Sequence, residues 1–177
     1  MNYKQLIIVN ESNRQTKSDY MYIRSFIDHF FKVDQYIRLY PVYLNGKGNY
    51  DNRSIRKEIE TETKLFKQGI TYVVYCLDTD NLESDPNASS FCKKLEEFCN
   101  RNGYYLVFFN RDIEEVFLGK RIDSSDKKKA AESFLRKRNI EYIDLEKFKS
   151  KVKRRYFSNL YLVLDQLLEK KEAVSNA

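Results

Sequence analysis

Proline and glycine are scarce, at 2 and 5 of 177 residues, and that scarcity excludes the low-complexity and disordered classes that are rich in them. Histidine is scarcer still. His29 stands alone in the apolar stretch Phe26-Ile27-Asp28-His29-Phe30-Phe31, which excludes a histidine-based metal set and assigns His29 to the core or a helix surface. The 3 cysteines form no Cys-x-x-Cys pair. Cys92 and Cys99 fall on one face of an expected helix and Cys76 inside an apolar strand, so all three read as small core residues rather than a zinc site or disulfide framework. No apolar run approaches the roughly 20 residues that span a bilayer, and the amino terminus has no signal-peptide pattern, so a cytoplasmic protein with no membrane partner is expected.

What is present suits one folded domain: 42% hydrophobic, 15% aromatic and 33% charged residues over a length that can bury a sizeable core. Apolar runs at 4–9, 36–44, 70–77 and 104–109 read as strands, separated by helical patterns at 18–32, 53–67 and 86–102. Ser18 or Asp19 is the expected cap of the first helix, with Tyr22, Ile23, Phe26, Ile27 and Phe30 as its buried stripe. Gln68-Gly69 is expected to end the second, while Asp85-Pro86 opens the third and Gly103 closes it. Alternation of this kind predicts an α/β fold, a parallel sheet of about four strands with helices on both faces.

In open parallel sheets functional groups collect beyond the carboxyl ends of the strands, and this chain carries acids there. The run Val73-Val74-Tyr75-Cys76-Leu77 ends in Asp78-Thr79-Asp80; if the strand continues, both aspartates point to one side and converge on a divalent hard metal. The same spacing also suits a cap of the following loop. Leu6-Ile7-Ile8-Val9 leads to Asn10-Glu11, and Phe109 leads to Asn110 and then Glu114 in an expected helix. Gly46-Lys47-Gly48 lacks a full phosphate-loop spacing and reads as a turn, with a backbone contact to a phosphodiester as the functional alternative.

Beyond residue 119 the charge segregates. Residues 120–155 hold 14 Lys and Arg against 6 Asp and Glu, a net +8 against +6 for the whole chain. Lys127, Lys128, Lys129, Arg136, Lys137 and Arg138 suit a phosphate backbone, or else a solvated helical surface. Residues 1–119 thus form the expected α/β core and 120–177 a basic helical extension packed on it, ending in a helix with Tyr156, Leu160, Val163, Leu164 and Leu167 on its apolar face.

Taken in order, Leu6-Ile7-Ile8-Val9-Asn10-Glu11, Leu44-Asn45-Gly46-Lys47-Gly48-Asn49, Tyr75-Cys76-Leu77-Asp78-Thr79-Asp80 and Phe109-Asn110-Arg111-Asp112-Ile113-Glu114 resemble the RloB-like branch of the Toprim superfamily. The resemblance covers roughly residues 4–118. It implies that Glu11, Asp78 and Asp80 hold Mg²⁺ or Mn²⁺, that Glu114 is a further catalytic carboxylate, and that Asn110 supports the site from behind. It implies metal-dependent phosphodiester cleavage of DNA or RNA, with an AAA or SMC-like ATPase as partner and a role in restriction or antiphage defence. Two other readings stay open: a nucleic-acid-binding or scaffold subunit with weak catalysis, and a doubly wound nucleotide-binding receiver. Assembly into a homo-oligomer is also left open.

Overall fold

Four parallel strands in the order β2-β1-β3-β4 form the centre of the molecule: β1 (Tyr3–Asn10), β2 (Ile37–Tyr43), β3 (Gly69–Asp78) and β4 (Tyr105–Phe109). They are seen in a computed structural model that describes residues 3–82 and 84–172. Among the described residues six α-helices flank them: α1 (Ser18–Phe30), α2 (Arg53–Leu65), α3 (Pro86–Asn102), α4 (Ile113–Leu118), α5 (Lys127–Arg136) and α6 (Leu160–Leu167). This is the expected α/β architecture.

β1 and β3 are covered on both faces, which is why they read as unbroken apolar runs. Side chains alternate across the sheet. Leu6, Ile8, Val74 and Cys76 join α1, α4, α5 and α6 in one cluster, while Ile7, Val9, Val73 and Tyr75 join α2 and α3 in another. Cys76, Cys92 and Cys99 are all buried free thiols, whereas His29 is exposed on α1 with Phe30 against its ring. Among the described residues, no helix is long and apolar enough to cross a membrane.

Residues after 119 share the first cluster. Ala131, Phe134, Phe148, Leu160 and Leu164 are buried with Leu6, Ile8 and Phe26, and the Phe134 ring meets Tyr22 and Phe117 edge-on. Among the described residues of this stretch only α5 and α6 are α-helices; the chain between them makes short 3₁₀ turns at Asn139–Tyr142 and Leu145–Phe148 and then runs irregularly. That irregular run seals the outer edge of β4. The Phe108 N–H donates to Asn159 Oδ1 (2.9 Å) and the Asn110 N–H to the Phe157 carbonyl (3.0 Å), pairing groups that an edge strand otherwise leaves open.

Three local expectations are corrected. Lys17, in a left-handed conformation, precedes α1, so Ser18 and Asp19 lie inside the helix and neither caps it. Gly69 does not close α2, which ends at Leu65; it begins β3, where a Cβ would stand 1.9 Å from the Tyr3 carbonyl oxygen. Tyr156 lies before α6 with φ 67, its N–H donating to the Asn110 carbonyl. Asp85, Pro86 and Gly103 occupy the cap positions expected of them at the ends of α3.

Candidate carboxylate site

The register of β1 against β3 sets Asn10 beside Cys76, so Glu11 leaves the sheet level with the end of β3. Glu11 Oε1 accepts the Asp78 N–H at 2.7 Å. Asp78 is the last residue of β3, and its Oδ1 accepts the Ile113 N–H at 3.0 Å, tying the strand to the first turn of α4. Asp19 reaches the same place from α1, its Oδ2 accepting the Ser12 N–H at 3.0 Å and its Oδ1 the Ser18 hydroxyl at 3.1 Å. Glu114, the second residue of α4, has no exposed surface. Four carboxylates therefore meet at the carboxyl edge of the sheet from the exits of β1, β3 and β4 and from α1.

Their counter-charge is Lys127, the first residue of α5, whose Nζ lies 3.0 Å from Glu114 Oε2. Burial alone would lower the Lys127 pKa, but Glu114, Asp78 and Asp19 outweigh it and the pKa is raised. The acids respond in the opposite sense to ordinary surface carboxylates. Burial pushes Glu11 up to about 7, against the pull of the Asp78 N–H, with Asp19 adding to the rise. Burial likewise raises Asp19 against Lys127, raises Asp78 well above its usual range with help from Glu11 and Asp19, and raises Glu114 against Lys127. Glu11, Asp19, Asp78 and Lys127 line a cavity of about 230 Å³. Glu114 Oε1 and the Tyr22 hydroxyl are buried without a hydrogen-bond partner among the described residues.

Asp80 is not drawn in with these acids. Its φ of 55 breaks the strand alternation that would have aligned it with Asp78, and its N–H instead donates to the Arg111 carbonyl at 3.0 Å. Its carboxylate is 55% exposed and pairs with Lys47, whose ammonium also lies 5.2 Å from the centre of the Phe91 ring. Lys47 is thus engaged at the rim. Asn110 is buried and structural in its contacts: Oδ1 accepts the Thr79 hydroxyl at 2.7 Å, while its backbone binds Tyr156 and Phe157. Among the described residues, no three carboxylate, histidine or cysteine side chains are arranged to grip one ion.

Of the basic residues, Lys128, Lys129, Arg136, Lys137 and Arg138 are exposed, with Lys129 near Asp126 and Arg138 paired with Glu141. Lys127 is the exception. Its partial burial was legible in part, because Ala131 and Phe134 follow it at i+4 and i+7 and put it on the inward face of α5. Asp19, read as a cap, is the other residue that sequence reasoning missed. Left-handed non-glycine residues mark the same edge: Lys17, Asn45, Asp80 and Arg111 each lie beyond a different strand, and such conformations concentrate where side chains must be aimed.

Comparison with protein-family models, curated proteins and solved structures found no match.

Proposed function

We propose that the chain is a cytoplasmic, metal-dependent phosphodiesterase acting on DNA or RNA. The observation that carries this reading is the meeting of Glu11, Asp19, Asp78 and Glu114 around the Lys127 ammonium at the carboxyl edge of a parallel sheet. Four hard-oxygen donors and an unpartnered, buried Glu114 Oε1 fit Mg²⁺ or Mn²⁺ in chemistry. Closure on an ion requires the acids to draw together, since they do not form a grip as they stand. Glu11, Asp78 and Asp19 would hold it. A bound ion would polarise the scissile phosphate and make water a better nucleophile.

The chain's own groups divide the remaining work. Glu11 is aimed at the end of β3 by the Asp78 N–H that its Oε1 accepts. Asp78 is aimed by the Ile113 N–H. The Lys127 ammonium, held by Glu114, offsets charge that develops on a phosphoryl oxygen. The resemblance of the strand-exit motifs to RloB-like Toprim proteins supports the same reaction, and with it an ATPase partner of the AAA or SMC-like kind and a defence role. A second reading, a nucleic-acid-binding scaffold, is favoured by the Lys127–Glu114 pair itself, which supplies a permanent internal cation.

The test is cleavage of labelled single- and double-stranded DNA and RNA with Mg²⁺, Mn²⁺ or chelator, alongside Mn²⁺ titration by calorimetry. Metal-dependent cleavage that Asp78→Asn abolishes supports the enzyme. Absence of both Mn²⁺ binding and cleavage overturns it in favour of the scaffold.

A further inference from the structure

A second cavity, of about 330 Å³, is lined by Arg111 and Arg121. The geometry points to its being a subsite for a phosphodiester next to the one cleaved, on the same nucleic-acid strand, with the two guanidinium groups as its ligands. The inference rests on the phosphodiesterase reading and adds the residues that position the strand.

Adjacency comes from the chain itself. Asp78 lines the first cavity and Asp80 the second, and two residues of chain span at most about 7 Å. The Cα atoms from which the two cavities are lined are therefore no further apart than successive phosphates on an extended strand. The loop between α4 and α5 touches both, with Arg121 lining the second cavity and Ser124 the first, next to Lys127 at the start of α5.

Pairing, rather than net charge, then selects the ligand. The second cavity is also lined by Asp80, Asp85, Asp112 and Glu115, but each of these is already engaged. Asp80 pairs with Lys47, and Glu115 pairs with Arg155 at 3.1 Å. Asp85 caps α3 through the Asn87 N–H, and Asp112 caps α4 through the Glu115 N–H. With Lys47 and Arg155 counted, four cations stand against four carboxylates among the described residues, so it is the unpaired donors and not an excess of positive charge that mark the cavity. The Arg111 and Arg121 side chains have no hydrogen bond or ion pair among the described residues. A planar fork of donors matches a phosphate's oxygens, and Arg111 is half-buried, its backbone fixed by the bridge to Asp80.

The experiment measures anisotropy of a fluorescein-labelled 12-nucleotide strand bound to the full chain, with Ca²⁺ replacing Mg²⁺ to prevent cleavage. Oligonucleotides carrying one uncharged methylphosphonate are walked past the cleavage position. For the wild type, the methylphosphonate adjacent to that position should weaken binding about tenfold. Arg111→Asn, chosen because Asn tolerates left-handed backbone, combined with Arg121→Ala should weaken the unmodified strand to the same degree and abolish the penalty for that methylphosphonate. The log-log salt slope should fall by about 0.7 for each phosphate that is no longer neutralised. Arg121→Ala, in an exposed loop, carries the test alone if the double variant unfolds. Wild-type affinity and slope in these variants, with Asp78→Asn still abolishing cleavage, overturn the subsite and leave the phosphodiesterase standing. No binding or cleavage of any oligonucleotide by the wild type overturns both.

Discussion

The Lys127 ammonium stands 3.0 Å from Glu114 Oε2, and Glu114 has no exposed surface. This pairing joins the first turn of α5 to the first turn of α4, so the basic extension supplies a charge to the acidic site rather than only to the surface. Four carboxylates against one ammonium would leave a net charge of −3 if all were ionised. Burial resists that, and the raised pKa of every acid in the cluster expresses the resistance.

Lys127→Met should therefore destabilise the protein strongly in chelator at pH 8, by about 3–5 kcal/mol, because it strands Glu114 without a partner. The loss should shrink as pH falls, because protonation of Glu114, eased by its burial, removes the stranded charge. Urea unfolding measures both. Added Mn²⁺ should recover part of the stability in the enzyme reading; no recovery would favour the scaffold.

Asp19→Asn should abolish metal-dependent cleavage as completely as Asp78→Asn, and without melting α1, since the helix does not depend on Asp19 for its cap. Either amide keeps an acceptor for its backbone donor, Ser12 for Asp19 and Ile113 for Asp78. Cleavage rates and circular dichroism check the pair. Full activity in Asp19→Asn would reduce that residue to a ligand of the Ser12 N–H alone.

Stability in chelator should fall as pH rises. The acids of the cluster have folded pKa values above their unfolded ones, so the native state binds more protons than the unfolded chain between the two. Their contribution is fully present below about pH 4 and is lost as pH climbs, for Glu11 through about 7. Each titrating group adds a slope of up to about 1.4 kcal/mol per pH unit. Melting temperatures from pH 5 to 8 should decline, and less steeply in Asp78→Asn. A flat or rising profile for the wild type would remove the buried acid cluster.

Strands and helices were legible because periodicity is a local property: Leu6 to Val9 and Val73 to Leu77 announce buried strands wherever they stand. Glu11 and Asp78 could each be placed at the exit of a strand, but what brings them together is the pairing of β1 with β3, which periodicity does not specify. Asp80 could not be read, since alternation holds only while the strand lasts and its left-handed backbone depends on the bridge to Arg111. Asp19 and Lys127 were obscured differently. Each looks like a common surface device, a cap or a lysine run, until the packing of α5 on α1 turns both inward.

Gly69 offers a test of the β1–β3 register where those strands begin. Its position between α2 and β3 suits a helix-closing glycine, a role that needs left-handed backbone, yet the residue is in β3 and pairs with Tyr3. What excludes a side chain is proximity: a Cβ would lie 1.9 Å from the Tyr3 oxygen, a backbone atom that cannot step aside without moving β1. Gly69→Ala should cost about 1–3 kcal/mol or more in urea unfolding. Gly69→Asn separates the two causes, because asparagine tolerates left-handed backbone but carries the same Cβ. It should be at least as damaging as alanine at 69. At Gly103, with φ 67 and nothing within 4 Å of a Cβ, the order should reverse, asparagine being milder than alanine. A Gly69→Asn variant as stable as the wild type would mean that the chain turns at 69 after all, and that the β1–β3 register carrying Glu11 to Asp78 begins elsewhere.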